Sequence, residues 1–202
     1  TALLALPVTH IGGRMMLVRS RIRKLRLICV EPKVNPLLGF SSTIKIDFAA
    51  FTPMQLFRIL EDDDTAASLE NFQTIILGGG EISELLKTKI QTIAASVYET
   101  YGMTETVSHI ALKKVNGVDQ TSHFSCLGGI EIATDSRGCL IVKAPALLDE
   151  ILVTNDLVRL IDLQHFEWLG RIDNTINTGG IKIQAEEVER KLKPFLENRF
   201  FI

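Results

Sequence analysis

The segment with the clearest potential for chemistry is residues 98–108, which read Tyr-Glu-Thr-Tyr-Gly-Met-Thr-Glu-Thr-Val-Ser. Gly102 would let the backbone approach a phosphate closely, Thr104 could hydrogen-bond that phosphate, and Glu105 could hold Mg²⁺. Tyr101 could stack on a nucleotide base. The same residues also suit a plain turn with a helix cap, so this segment alone leaves a nucleotide site and a structural turn as alternatives.

Residues 74–98 predict the elements that would position this segment. Residues 74–80 are apolar and end in three glycines, residues 82–93 carry apolar side chains at helical spacing, and residues 94–98 predict another strand. We expect residues 101–105 just past the end of that strand. Because ligands bind outside the carboxyl ends of strands in open α/β sheets, the glycines and the polar segment would share one edge.

The whole chain predicts an α/β fold, a layered sheet with flanking helices plus a small β-rich subdomain. Before residue 98, the additional patterns are strands at 3–8, 27–30 and 44–50, a helix from residue 15 and a helix start at Pro53. We interpret Asp62-Asp-Asp-Thr65 as a loop or a helix end. After residue 108, β-like segments occur at 109–113, 129–134, 139–143, 153–163 and 166–169, with a hairpin turn at 135–138 and a helical pattern at 185–196. This order predicts three parts, residues 1–108, 109–170 and 171–202.

The composition limits the classes of partner. With 22 Lys and Arg against 24 Asp and Glu, the net charge of −2 provides no basic field for nucleic acid. Apolar residues interrupt the basic run at residues 19–26, so we interpret it as a solvated helix face. No apolar run in the sequence is long enough to span a bilayer. The 3 cysteines are widely spaced, which indicates neither a zinc site nor a disulfide framework and fits a reducing cytoplasm.

Two later segments follow the polar segment in order. They are Thr154-Asn-Asp-Leu157 and residues 169–189, which read Leu-Gly-Arg-Ile-Asp-Asn-Thr-Ile-Asn-Thr-Gly-Gly-Ile-Lys-Ile-Gln-Ala-Glu-Glu-Val-Glu. Together with residues 98–108 they resemble the acyl-adenylate-forming superfamily of acyl- and aryl-CoA ligases, peptide-synthetase adenylation domains and luciferases. The resemblance implies the large-domain portion of an enzyme that joins a small-molecule carboxylate to the α-phosphate of ATP and then passes the acyl group to coenzyme A. ATP, Mg²⁺ and coenzyme A are therefore the implied ligands.

In residues 74–108 the resemblance implies a nucleotide pocket. Tyr101 would stack on adenine, Thr104 would contact the α-phosphate, and Glu105 would ligate Mg²⁺. Glycines would leave room for the ligand, with Gly78, Gly79 and Gly80 along the adenine and acyl pocket and Gly102 near the phosphate. A strand-to-helix turn for the three consecutive glycines and a core position for Tyr101 stay open as alternatives.

The later segments would complete the pocket. Asp156 would accept hydrogen bonds from the ribose hydroxyls. The residue before this Asp is usually Gly in the superfamily, whereas this chain has Asn155. Arg171 would hold ribose or phosphate, with a surface ion pair as the alternative. Asp173 matches the hinge between the two half-reactions, and Lys182 lies in the loop that swings in for thioester formation, near the thiol or the phosphate.

Two histidines are implied in substrate binding. The segment Leu6-Pro-Val-Thr-His-Ile-Gly-Gly13 resembles the Pro-x-x-His-x-x-Gly segment of acyl- and aryl-CoA ligases, which places His10 near the reacting carboxylate. His109 follows the polar segment closely enough to reach an acyl pocket. A structural role for either histidine stays open.

The most specific resemblance lies in residues 6–19 and 101–112, which are similar to the o-succinylbenzoate–CoA ligases of menaquinone biosynthesis. Their substrate is an aromatic dicarboxylate, so its non-reacting carboxylate needs a partner. Arg14 or Arg19 could bind it through paired hydrogen bonds, with a surface role as the alternative for either residue.

Two parts of the superfamily pattern are not found in these 202 residues. One is the Ser/Thr/Gly-rich loop that grips the β- and γ-phosphates, and the other is the late lysine used for adenylation. We therefore expect an incomplete enzyme that binds nucleotide weakly and turns over poorly. The alternatives are another acyl- or aryl-CoA ligase or adenylation domain, and a non-catalytic nucleotide-binding fragment of the same fold.

Overall fold

The computed structural model describes residues 1–40, 43–178, 181–192 and 195. The chain divides into two compact units, which we call unit 1 (Thr1–Ser122) and unit 2 (His123–Ile202). The three-part division at residues 108 and 170 stays a prediction. None of the described helices is both long and apolar enough to cross a membrane.

Unit 1 is built on a mostly parallel sheet. Its strands are β1 (Ala2–Leu4), β2 (Leu27–Cys29), β3 (Ile46–Phe51), β4 (Phe72–Leu77), β5 (Ser96–Gly102) and β6 (His109–Lys114). They lie in the order β2-β1-β3-β4-β5-β6, and all neighbours are parallel except β5 and β6. The carboxyl ends of β1, β3, β4 and β5 therefore meet at one edge of the sheet.

Helices cover both faces of this sheet. They are α1 (Ile11–Ile22), α2 (Pro53–Ile59), α3 (Asp63–Ser68) and α4 (Glu84–Ile90). Successive strand side chains alternate between two apolar clusters. Leu3 and Ile75 pack with residues of α2 and α4, whereas Leu4 and Ile76 pack with Met16 of α1. The predicted layered α/β sheet with flanking helices is confirmed.

Capping side chains begin three of these helices, α2, α3 and α4. The Thr52 hydroxyl accepts a bond from the Gln55 N–H at 3.1 Å, the Thr52 N–H donates to Gln55 Oε1 at 3.0 Å, and Pro53 begins α2 as predicted. Residues 62–65, predicted as a loop or helix end, form the N-terminal end of a helix. Asp62 accepts a bond from the Thr65 N–H at 2.9 Å and begins α3, because a carboxylate satisfies an unpaired first-turn amide.

β5 extends further than the sequence predicts. The expectation that residues 101–105 follow the strand is wrong for Tyr101 and Gly102, which belong to β5. The antiparallel strand β6 explains the difference, since it pairs Tyr101 with Ala111 and Gly102 with His109. A strand gains this length from a neighbour that local periodicity does not identify.

Unit 2 is built on an antiparallel sheet. Its strands are β7 (Phe124–Cys126), β8 (Glu131–Thr134), β9 (Cys139–Lys143), β10 (Leu152–Leu160) and β11 (His165–Arg171), in the order β7-β11-β10-β9-β8. The predicted hairpin turn joins β8 to β9, with the Gly138 N–H donating to the Asp135 carbonyl at 3.0 Å. β7, a strand of only 3 residues, is the one β element of this sheet that the sequence did not predict.

The last described segment follows β11. A short 3-10 turn (Ile172–Asn174) leads to the separate strand pair β12 (Thr175–Thr178) and β13 (Ile181–Gln184), and then to α5 (Ala185–Leu192). The predicted helix at residues 185–196 is therefore confirmed as far as Leu192. The remainder of that prediction, apart from residue 195, lies outside the described residues.

Candidate functional site

A cavity of about 550 Å³ opens in unit 1 where β1, β3, β4 and β5 end. Its apolar wall comes from the chain after β1, from the ends of β3 and β4 and from α1, and it includes Leu6, Met15, Ala50, Phe51 and Ile76. Its polar side chains include His10, Arg19, Thr104, Ser108 and His109. An apolar pocket with a few convergent polar groups is the usual form of a small-molecule site.

Two of the three consecutive glycines line this cavity. Gly78 and Gly79 belong to the lining, whereas Gly80 lies outside it, near the Pro53 ring. A Cβ on Gly78 would lie 2.6 Å from Thr100 Oγ1, whose hydroxyl donates to the Leu77 carbonyl at 2.8 Å. The absence of a side chain at this position therefore keeps the end of β4 against β5 and leaves the cavity open.

Gly102 has a structural requirement of its own. A Cβ there would lie 2.5 Å from His109 Cα and 2.6 Å from the Ser108 carbonyl oxygen. Real Cβ atoms do not approach backbone this closely, so only glycine lets the end of β5 pack against the start of β6. Gly102 also lines the cavity, and its predicted role near a phosphate stays a prediction.

Thr106 holds the loop between β5 and β6, a role that the sequence analysis missed. Only 1% of its surface is exposed, and its hydroxyl accepts a bond from the Met103 N–H at 3.0 Å and lies 2.8 Å from the Ser108 carbonyl, to which it can donate. Val107 has a φ of 62°, a left-handed conformation that is unfavourable for a β-branched residue. The sequence carries no signal for this role, because a threonine reads the same whether its hydroxyl is buried or exposed.

The other members of the predicted nucleotide group are not all in the cavity wall. Thr104 lines the cavity, and the exposed Glu105 lies beside it in sequence but outside the lining. Tyr101 is 9% exposed, belongs to the buried core and is also outside the lining. Adenine stacking by Tyr101 and Mg²⁺ binding by Glu105 therefore stay predictions.

Arg19 turns from α1 into the cavity wall. Its Nη2 donates to Ser108 Oγ at 2.8 Å and lies 3.3 Å from His109 Nδ1. Among the described residues, no carboxylate forms an ion pair with Arg19. The interpretation of residues 19–26 as a solvated face holds for the exposed residues Arg21, Arg23, Lys24 and Arg26, but it is wrong for the half-buried Arg19.

Burial affects the charge states of Arg19 and His109. Desolvation lowers the pKa of Arg19, which nevertheless stays charged because a guanidinium begins far above neutrality. Desolvation, followed by the nearby Arg19 charge, lowers the pKa of His109 to about 4. At neutral pH Arg19 is therefore a cation and the His109 ring is neutral.

His10 and Arg14 lie near the start of α1 but face different surroundings. His10 immediately precedes α1, is exposed and lines the cavity. Arg14 is exposed, donates from Nε to the Val8 carbonyl at 3.2 Å and lies outside the lining. The structure thus brings Arg19, and not Arg14, to the cavity beside His109.

The remaining predicted residues lie in unit 2. Asp156 on β10 is 7% exposed and pairs across the sheet with Arg171 on β11, with 3.5 Å between Asp156 Oδ1 and Arg171 Nη1. Arg171 Nη2 also contacts Asp173 Oδ2 at 3.0 Å, and Asn155 Nδ2 donates to the same carboxylate at 3.3 Å. Within unit 2, the expected ribose ligands and the expected hinge residue thus form one polar cluster.

The predicted mobile loop is only partly described. Lys182 lies on β13, where its backbone pairs with that of Asn177. Gly179 and Gly180 lie outside the described residues. Lys182 as a ligand of the thiol or phosphate therefore stays a prediction.

Comparison with known proteins gives consistent matches. The model of the family described as AMP-binding enzyme matches residues 1–134. A 2-succinylbenzoate–CoA ligase from Lactococcus lactis is 28% identical over 205 residues, covering 93% of this chain and 44% of that protein. An acyl-CoA synthetase (AMP-forming)/AMP-acid ligase II-like protein from Dyadobacter fermentans matches with a TM-score of 0.79 and 39% identity, over 99% of this chain and 58% of that one.

A second solved structure adds a bound ligand. The o-succinylbenzoate coenzyme A synthetase from Bacillus subtilis, in complex with the acyl-adenylate intermediate OSB-AMP, matches with a TM-score of 0.74 and 25% identity. The match covers 95% of this chain and 45% of that one. The chain thus spans about half the length of the relatives that it matches.

Proposed function

The chain belongs to the AMP-binding enzyme family, and we propose that it carries the acyl- and nucleotide-binding part of an AMP-forming acid–CoA ligase. In the proposed reaction, a carboxylate oxygen attacks the α-phosphorus of ATP and pyrophosphate leaves. The thiol of coenzyme A then attacks the acyl carbon and AMP leaves. ATP and coenzyme A are cytoplasmic metabolites, so we place the enzyme in the cytoplasm.

Several residues of unit 1 are proposed to bind the nucleotide. In unit 1, Gly78 and Gly79 leave room for it, and Thr104 contacts the α-phosphate from the cavity wall. Glu105 is an exposed carboxylate next to Thr104, which fits Mg²⁺ because nucleotide-bound Mg²⁺ takes one or two carboxylates together with phosphate oxygens. When bound, Mg²⁺ neutralises phosphate charge that would otherwise repel the attacking carboxylate.

Unit 2 supplies the proposed ribose contacts. Asp156 accepts hydrogen bonds from the ribose hydroxyls, and Arg171 adds donors to the ribose or the phosphate. The 3.5 Å ion pair between these two side chains supports the assignment, because it orients the carboxylate, whose oxygens can accept further hydrogen bonds.

The observation that carries the substrate assignment is the half-buried Arg19. A partly desolvated cation without a carboxylate partner is unfavourable, and an anionic ligand would compensate it. The apolar side chains of Met15, Phe51 and Ile76 suit an aromatic ring next to this cation. We therefore assign an aromatic dicarboxylate, o-succinylbenzoate, whose reacting carboxylate lies near His10 and whose second carboxylate binds Arg19.

The substrate assignment is tested with two non-hydrolysable acyl-adenylates. One carries the o-succinylbenzoyl group, and the other carries its methyl ester in place of the non-reacting carboxylate. We expect calorimetry to show about tenfold tighter binding of the free carboxylate, since a charge-assisted hydrogen bond contributes about 1.5–3 kcal/mol. Arg19→Met should abolish this preference, while the matched variant Arg21→Met, on the exposed face of α1, should keep it. Equal binding of the two ligands by the unmodified chain would exclude a dicarboxylate substrate.

Single substitutions test the nucleotide assignment. We expect Thr104→Ala and Asp156→Asn each to weaken the adenylate by roughly fivefold or more, as for loss of one hydrogen bond. Asp149→Asn, at an exposed position, serves as the control. An unchanged dissociation constant for either test variant would remove that residue from the site. In the full-length enzyme, a pyrophosphate-release assay over a panel of acids would distinguish o-succinylbenzoate from the monocarboxylate substrates of other ligases.

A further inference from the structure

His109 and Ser108 share one nitrogen of Arg19. Arg19 Nη2 lies 2.8 Å from Ser108 Oγ and 3.3 Å from His109 Nδ1, and all three side chains line the cavity. A guanidinium Nη carries two hydrogens, so these two contacts use both of them. The Nε and Nη1 hydrogens of Arg19 have no protein partner among the described residues. The two contacts therefore fix the guanidinium while leaving donors for a ligand.

The chemistry of arginine also determines the tautomer of His109. A guanidinium has only donors, so His109 Nδ1 must be the acceptor in this contact. The ring is then neutral, with its single proton on Nε2. Burial and the Arg19 charge lower the pKa of His109 to about 4, which agrees with this state. Arg19 is the charged group that the structure places against the ring, and Ser108 Oγ lies 3.5 Å from the same Nδ1.

We propose that His109 is a positioning residue that orients the Arg19 guanidinium towards the anionic end of the acyl substrate. This inference rests on the proposed function of the cavity. A protonated His109 would lose the acceptor at Nδ1 and repel Arg19. An uncharged ring without that acceptor would leave the guanidinium held by Ser108 alone. In either case Arg19 would keep its charge but lose its orientation, and selectivity for a dicarboxylate would fall.

The test compares two replacements of His109. His109→Ala removes the acceptor, whereas His109→Asn can place an amide oxygen close to the position of Nδ1. Calorimetry with the o-succinylbenzoyl adenylate and its methyl ester measures the carboxylate-dependent part of binding. His165→Asn in unit 2, where the ring contacts Asp162 at 2.8 Å, is the matched control for loss of a hydrogen-bonded histidine.

We expect His109→Ala to weaken the free carboxylate by about tenfold and the ester by less than about twofold, as for loss of an oriented charge-assisted bond. His109→Asn should recover most of the difference, and the His165 control should bind both ligands as the unmodified chain does. Independently, ¹⁵N NMR of the unmodified chain should show His109 Nδ1 unprotonated between pH 5 and pH 8.

Four results would overturn the inference. Equal losses for both ligands in His109→Ala would indicate packing alone, and a proton on Nδ1 at neutral pH would exclude the contact with Arg19. A preference for the free carboxylate that survives His109→Ala would refute the role of His109 while leaving the substrate assignment intact. Failure of the unmodified chain to prefer the free carboxylate would instead refute the proposed function, and this inference with it.

Discussion

Replacing Thr106 by valine tests how the loop between β5 and β6 is held. Valine keeps the shape of threonine but removes the hydroxyl that accepts from the Met103 N–H at 3.0 Å and can donate to the Ser108 carbonyl at 2.8 Å. Because Thr106 is 1% exposed, water cannot replace these bonds in the native loop. Each unsatisfied backbone group costs about 1–3 kcal/mol, and both are only partly buried, so we take the lower end and expect a total of roughly 2 kcal/mol.

The strained backbone of Val107 determines whether loss of the Thr106 hydrogen bonds loosens only the loop or unfolds the whole of unit 1. A left-handed backbone at a β-branched residue stores about 1–3 kcal/mol, which the Thr106 hydrogen bonds counteract. Without them the loop should relax locally before the rest of unit 1 unfolds. Urea unfolding should then show a loss of no more than about 2 kcal/mol. Hydrogen exchange at residues 103–109 should accelerate, and the o-succinylbenzoyl adenylate should bind at least about tenfold more weakly.

The matched control is Thr88→Val on α4. Its hydroxyl is exposed and donates to the Glu84 carbonyl at 3.0 Å, so its loss should change stability by less than about 0.5 kcal/mol. Native stability, native exchange at residues 103–109 and unchanged ligand affinity in Thr106→Val would together refute the argument. A large stability loss with unchanged exchange in that loop would place the role of Thr106 in the global fold instead.

Two further predictions concern packing and thiol reactivity. Gly102→Ala would place a Cβ 2.5 Å from the backbone at residue 109, so urea unfolding should show a loss of more than about 2 kcal/mol, whereas Gly128→Ala, with no atom within 4 Å of its Cβ, should lose less than about 1 kcal/mol. Equal losses would contradict the β5–β6 contact. Burial and the Asp162 charge raise the pKa of Cys126 to about 11, and a third cysteine is buried, so a thiol reagent at pH 8 should label only the exposed Cys29 rapidly. A fast phase that survives Cys29→Ser would contradict this prediction.

Elements with a strong local signal were predictable from the sequence. β3 and β4 each end in a continuous apolar segment, residues 48–51 and 75–77, because helices cover both faces of the sheet, and Pro53 marks the start of α2. The end of β5 was not predictable in the same way. Its last residues are ordered by pairing with β6, so the element depends on a partner rather than on its own periodicity.

The site residues also differ in how far the sequence could predict them. His10 and Thr104 were found because a short motif carries each of them, and both line the cavity. The sequence offered Arg14 and Arg19 as alternative partners of the second carboxylate and could not choose between them, because the inward position of Arg19 depends on Ser108, 89 residues away in the sequence. Thr106 was missed because a buried hydroxyl that bonds only to backbone has the same sequence signature as an exposed one.

Three locally unfavourable features meet at the wall of the unit 1 cavity. Val107 adopts a left-handed backbone, Arg19 is a half-buried cation without a carboxylate partner among the described residues, and His109 has its pKa lowered to about 4. None of these is required by the pairing of the sheet strands, and the first two lower the stability of the empty fold. Folding rules are most often broken where a ligand compensates the cost. A carboxylate bound at Arg19 would compensate the cost of burying that cation, so the same contact that selects the substrate should also raise the stability of unit 1.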